Sequence, residues 1–97
     1  MRVVTSITAS LLANRNRNRK SLIIQNVDPT DAVFVKRERG PSYTVSSTDF
    51  DFRVGPGAAV ALNSLLDGTE AIQDSYTIVA AANTPAVSIF ETEDITR

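Results

Sequence analysis

The punctuation of this chain constrains its fold more than any other feature. Short runs rich in Val, Ile, Thr, Phe and Tyr are interrupted about every 8 to 12 residues by turn-forming residues. The interruptions are Asp28-Pro29-Thr30-Asp31, Gly40-Pro41, Gly55-Pro56-Gly57, Asp67-Gly68 and Asn83-Thr84-Pro85. Proline presets φ for the second position of a turn, glycine reaches conformations closed to other residues, and aspartate bonds its own backbone. Between them the pattern predicts strands over 3–11, 21–27, 32–37, 50–54, 59–62, 76–81 and 86–92. About seven short strands at this spacing point to an all-β chain, a single small antiparallel β-sandwich of jelly-roll or Ig-like type spanning 1–97.

Residue alternation distinguishes the strands. Phe50-Asp51-Phe52-Arg53-Val54 places apolar residues on one face and charges on the other, as a strand with one wet side requires. Leu22-Ile23-Ile24 and Ala32-Val33-Phe34-Val35 are continuously apolar. They call for cover on both faces, from the opposing sheet and from an N-terminal segment, a loop or a neighbouring subunit. The stretch 58–66 suits a strand followed by a short helical turn, with a helix throughout as the alternative.

Composition removes whole classes of chemistry. The 97 residues include no cysteine and no histidine, which excludes disulfide scaffolds, Cys/His zinc sites and the nucleophile systems that use an imidazole base. No cofactor is called for. Apolar runs of a few residues fall far short of the roughly 20 needed to span a bilayer, so no membrane partner is expected. The first 13 residues faintly imitate a secretory leader, but Thr5, Ser6, Thr8 and Ser10 break the apolar stretch.

A net charge of −1 conceals a division along the chain. Residues 1–48 carry eight basic and three acidic residues, a balance of +5, and residues 49–97 carry two basic and eight acidic, a balance of −6. The densest positive feature is a basic loop at 13–20, Asn14-Arg15-Asn16-Arg17-Asn18-Arg19-Lys20 within it. If extended, it lines up Arg15, Arg17 and Arg19 along one side, an arrangement suited to carboxylates. Its plainest reading is a solvated loop, and its functional reading is docking on an acidic protein surface. Nucleic acid fits less well, because no stacking aromatic accompanies the charges. Lys36, Arg37 and Arg39 form a second positive group, which joins the first only if the fold brings them together. Asp49 and Asp51, two apart, resemble the paired carboxylates of a glycosidase, a pattern any amphipathic strand also gives. Glu91, Glu93 and Asp94 make an acidic end that could meet a basic patch on an adjacent copy.

Taken in order, the Asn/Arg-rich stretch leading into Arg19-Lys20-Ser21-Leu22-Ile23-Ile24-Gln25-Asn26, the Val33-Phe34-Val35 strand, the Gly55-Pro56-Gly57 turn and the late strands Tyr76-Thr77-Ile78-Val79-Ala80 and Val87-Ser88-Ile89-Phe90-Glu91 resemble small accessory proteins of tailed bacteriophage virions. The long Arg-Asn run and the charged 36–39 segment depart from that pattern. The resemblance implies a non-enzymatic capsid decoration or cement protein located in the virion, bound to the major capsid protein or another virion protein and associating as a dimer or trimer. Arg15, Arg17, Arg19, Lys20, Lys36, Arg37 and Arg39 are the expected contact residues. The alternative is a small tail or fibre component binding a carbohydrate or receptor, with Tyr43 and Tyr76 as the aromatics for stacking.

Overall fold

The computed structural model describes residues 2–13, 19–38, 43–63 and 75–93. Among them are eight strands and no helix: β1 (Arg2–Val4), β2 (Ser10–Ala13), β3 (Arg19–Asn26), β4 (Val33–Arg37), β5 (Phe52–Val54), β6 (Ala59–Asn63), β7 (Tyr76–Ala80) and β8 (Ala86–Glu93). They form two four-stranded antiparallel sheets, with strand order β1-β8-β3-β6 in the first and β2-β7-β4-β5 in the second. Of the connections between successive strands, only β4 to β5 stays within a sheet. That wrapping is the order of a jelly roll, and it decides between the jelly-roll and Ig-like expectations.

The eighth strand arises because the predicted first strand is two. Within 5–9 the Ser6 hydroxyl accepts from the Thr8 amide at 3.1 Å, a local bond that competes with a ladder. Here the chain changes sheets. Thr5 donates through its amide and its hydroxyl to the Pro85 carbonyl at 3.0 and 2.7 Å, beside β8, while the Ser6 carbonyl accepts from the Ala80 amide at 2.8 Å, at the end of β7.

The inner faces of the two sheets enclose the core. Leu22 and Ile24 of β3, Leu62 of β6, and Val87 and Ile89 of β8 meet Leu12 of β2, Val33 and Val35 of β4, Val54 of β5, and Tyr76 and Ile78 of β7. Each such fully buried aliphatic side chain contributes about 1.5–3 kcal/mol of transfer free energy. The expectation that β4 needs cover on both faces is met by a loop. A second cluster of Phe34, Val45 and Val79, with Ala9 against it, lies outside the first, and the Phe50 ring sits 4.8 Å from that of Phe34. Phe50 and Phe52 therefore part company. The strand begins only at Phe52, which packs on the inner core, so the alternation expected over 50–54 holds for the last three residues. Residues 59–63 are strand, and 64–66, where a helical turn was expected, lie outside the described residues.

Two turns close the end of the sandwich where β3 finishes. The Asp28 carboxylate accepts from the Thr30 and Asp31 amides, both at 2.8 Å, and these backbone donors hold its carboxyl below the ordinary aspartate value. The Asp28 carbonyl accepts from the Gly57 amide at 3.1 Å, and Gly57 itself adopts φ 72°, a left-handed conformation that favours glycine.

Candidate functional site

The register of the second sheet places the strand ends that precede the two basic segments. Ala13, the last residue of β2, and Arg37, the last of β4, both pair with Tyr76, the first residue of β7. Two strand spacings separate them, about 10 Å. β2 and β4 thus finish at the same end of the sandwich. Arg15, Arg17 and Arg39 lie outside the described residues, as does the side chain of Lys20, whose backbone belongs to β3.

Three members of the expected contact set have described side chains. Arg37 is exposed, and its amide donates to the Asp51 carboxylate at 2.7 Å. Lys36 donates to Asp49 Oδ2 at 2.7 Å and to the Thr44 hydroxyl at 2.7 Å. That bond to Asp49 is the main cause of a Lys36 pKa above the ordinary lysine value. Arg19 departs furthest from expectation. Instead of closing a surface loop, it opens β3 opposite Glu93, its side chain 1% exposed, with Nη2 donating to Glu91 Oε1 at 2.9 Å. A guanidinium enclosed in this way is a structural strut, so Arg19 leaves the set of residues that can face a partner.

The acidic half of the chain is placed as directly. β3, from the basic half, lies between β6 and β8, both from the acidic half. The two halves are therefore interleaved, and the Arg19–Glu91 and Lys36–Asp49 pairs join them. Glu91, expected to seek a basic patch on another copy, is held by its own chain. Asp49 and Asp51 precede β5 and are engaged by Lys36 and the Arg37 amide. Among the described residues no group of three or more acidic residues is placed to hold a metal ion. No described helix is long and apolar enough to cross a membrane.

Comparison with protein-family models, with curated proteins and with solved structures finds no match. The chemistry of this end has to be read from its own residues.

Glu38 is the residue that sequence reasoning passed over. It looked like one charge in a mixed tip, yet its carboxylate accepts from the Thr44 amide at 3.0 Å, the Thr44 hydroxyl at 2.7 Å, the Val45 amide at 3.3 Å and the Thr77 hydroxyl. Burial pushes its carboxyl up, and the hydrogen bonds from Thr77, Thr44 and Val45 outweigh that and hold it below the ordinary glutamate value. It pins the segment that covers the second sheet to β7. Tyr76, a candidate for sugar stacking, is 2% exposed, its ring near that of Phe52, so only Tyr43 of that pair faces solvent.

A second surface has a different character. On the outer face of the first sheet, β3 presents Ser21, Ile23 and Gln25 and β8 presents Ser88, Phe90 and Thr92. Ala59 and Ala61 of β6 extend it on one side and Val4 of β1 on the other. None of these described side chains is charged; those of Arg2, Lys20, Asn63 and Glu93 on the same strands lie outside the description. Phe90 is 60% exposed and Val4 69%. On the other sheet, comparable apolar residues are covered by residues 43–50 of the same chain.

Proposed function

We propose that this chain is a non-enzymatic structural protein of a tailed-bacteriophage virion, a decoration or cement protein that binds the capsid surface through the end of the sandwich bearing its basic segments. One observation carries the reading: Ala13 and Arg37 flank Tyr76, so the Arg15–Arg17 run and the Arg37–Arg39 run depart from neighbouring points. Arg15, Arg17, Lys20, Arg37 and Arg39 form the attachment set. Lys36, occupied by Asp49, supports the loop beside them. Guanidinium groups suit carboxylates on an acidic shell, and opposed charges steer encounter and fix register more than they add affinity. The jelly-roll strand order agrees with the resemblance to virion proteins, although many unrelated functions share such folds.

The experiment replaces Arg15, Arg17 and Arg37 together by alanine and measures retention on purified particles across a salt series. The reading expects parent retention that weakens as salt rises, and a variant that is retained less and depends less on salt. Equal retention with an equal salt dependence overturns it.

A further inference from the structure

We infer that residues 43–45 are an acid-released latch on the outer face of the second sheet. The Glu38 carboxylate holds it closed, and protonation of Glu38 lifts Val45 off Phe34 and Val79 while the sandwich stays folded. The inference concerns the free protein and is independent of capsid attachment. Residues 43–51 form a strap over β4 and β7, and its two ends are fastened by different chemistry. At the near end the fastener is one carboxylate. Glu38, one residue beyond β4, accepts from the Thr44 amide at 3.0 Å, the Thr44 hydroxyl at 2.7 Å and the Val45 amide at 3.3 Å, and also from the Thr77 hydroxyl of β7. At the far end the Asp51 amide donates to the Val35 carbonyl at 2.9 Å, a backbone bond that does not titrate. Lys36 donates to Asp49 Oδ2 and the Arg37 amide to the Asp51 carboxylate, both at 2.7 Å, beside it. The far end is therefore the hinge and the near end the part that opens.

Four donors converge on Glu38, and only the ionised carboxyl accepts from all of them. Protonation turns one of its oxygens into a donor, which then faces the hydrogens of Thr44 and Val45. The released groups find other partners. Thr44 is exposed, so its amide and hydroxyl pass to water, and the Thr77 hydroxyl already lies 3.3 Å from the Lys36 carbonyl. Lys36 Nζ donates to the Thr44 hydroxyl at 2.7 Å, and that hydroxyl donates on to Glu38, so this relay favours the charged carboxyl. The other titratable groups around it among the described residues are Arg37 of β4, Tyr43, Asp49 and Asp51 of the strap, and Tyr76 of β7. Burial pushes the Glu38 carboxyl up, and the bonds from Thr77, Thr44 and Val45 outweigh it. The latch is thus closed above the ordinary glutamate value and opens as pH falls through the lowered one.

Opening uncovers a small apolar surface. Val45 is 4% exposed, and Phe34 and Val79 against it are 8% and 7% exposed. Phe50, whose ring lies 4.8 Å from that of Phe34, belongs to the hinge end and stays in place. On the opposite face of the same sheet, Val33, Val35 and Ile78 keep their places in the core between the sheets. Release of one end of a surface segment is a local opening that leaves the strands paired.

Amide hydrogen exchange of the full chain, corrected for the intrinsic rate at each pH, tests the inference between about pH 7 and about pH 3, below the ordinary glutamate value. The Thr44 and Val45 amides are expected to lose at least about tenfold in protection, the worth of one bond to a charged acceptor. The Asp51 amide and the amides of β3, which is paired on both sides, should stay protected. The loss should share its midpoint with the titration of the Glu38 carboxyl carbon followed by NMR, and nuclear Overhauser contacts between Val45 and Phe34 should vanish over the same range. Glu38→Gln, uncharged at every pH, should lower Thr44 and Val45 protection at neutral pH and remove most of its pH dependence. Asp28→Asn, which neutralises a carboxylate of another turn, should leave that dependence as in the parent. Unchanged Thr44 and Val45 protection, loss in step with β3, a midpoint apart from that of Glu38, or a folded Glu38→Gln chain with the parent's pH dependence overturns the inference. Should Glu38→Gln fail to fold, the midpoints measured on the parent decide.

Discussion

Replacing Asn26 by alanine removes a side chain that links three parts of the fold at one point. The residue is fully buried at the end of β3. Its Nδ2 donates to the Asp31 carbonyl at 2.7 Å and the Val54 carbonyl at 3.1 Å, and its Oδ1 accepts from the Asp28 amide at 3.0 Å. A hydrogen bond of this kind contributes about 1 kcal/mol net, and a buried partner left unsatisfied costs about 1–3 kcal/mol. Water can reach the partly exposed Asp28 and Asp31 groups, so the full penalty falls chiefly on the buried Val54 carbonyl. The expected loss is about 3 kcal/mol, a large share of the roughly 5–15 kcal/mol that holds a domain together. At about 4–8 °C per kcal/mol in a domain of this size, Tm should fall by about 12–24 °C. Thermal and urea unfolding followed by circular dichroism would measure it, at one fixed protein concentration because association shifts Tm. A loss below about 1 kcal/mol with an unchanged m value would refute the reasoning.

Asn26→Asp sharpens the test. Its carboxylate would face the carbonyl oxygens of Asp31 and Val54, and together with burial they raise its folded pKa above the unfolded value. The sign follows: the folded state then binds the proton more tightly, so the deficit relative to the parent is largest above the raised pKa and shrinks as pH falls through it. A deficit that grows on acidification would contradict the placement of the amide donor.

Glu38→Ala should cost about 2 kcal/mol by releasing residues 44 and 45 from β7, seen as a lower urea midpoint and faster amide exchange in 43–50. Because the folded pKa of Glu38 is lowered, its stabilisation is present above the unfolded glutamate value and lost as pH falls through the folded one, so Glu38→Gln should flatten the parent's acid loss of stability. Arg19→Met should cost about 2–3 kcal/mol, since it leaves a partly enclosed Glu91 carboxylate without its cation, and adding Glu91→Met should recover most of that in a double-mutant cycle. Gly57→Ala should cost about 1 kcal/mol through its positive φ alone, since a Cβ there meets nothing within 4 Å.

Strand content was legible because it rests on local rules. β4, β6, β7 and β8 fall where their β-branched runs and bounding turns put them, and the Asp28–Asp31 turn closes with the bonds its residues favour. The split of the first strand was harder to read, since Thr5 and Ser6 break it with bonds to Pro85 and Ala80, far along the chain. Phe50 shows the same limit. Its alternation with Phe52 is real in sequence, but the aromatic surface of Phe34 draws it to the other side of the sheet.

Charge was legible in amount but not in place. The division into +5 and −6 halves left open whether the fold mixes them, and β3 inserted between β6 and β8 interleaves them and uses Arg19 and Glu91 as a pair. The outer face of the first sheet exists only once β1, β8, β3 and β6 lie side by side. Each strand contributes one to three unremarkable described residues to it, so no single stretch of sequence announces it. The run Leu22-Ile23-Ile24 called for cover on both faces, yet with Leu22 and Ile24 in the core Ile23 faces outward and is 37% exposed.

The copy number of the protein on purified virions tests the central proposal most directly. Quantitative mass spectrometry against the major capsid protein should find it in a fixed proportion to the repeating shell subunit, as attachment to a symmetric lattice requires. Its absence from the particle, or a handful of copies with no relation to the shell repeat, would contradict the account.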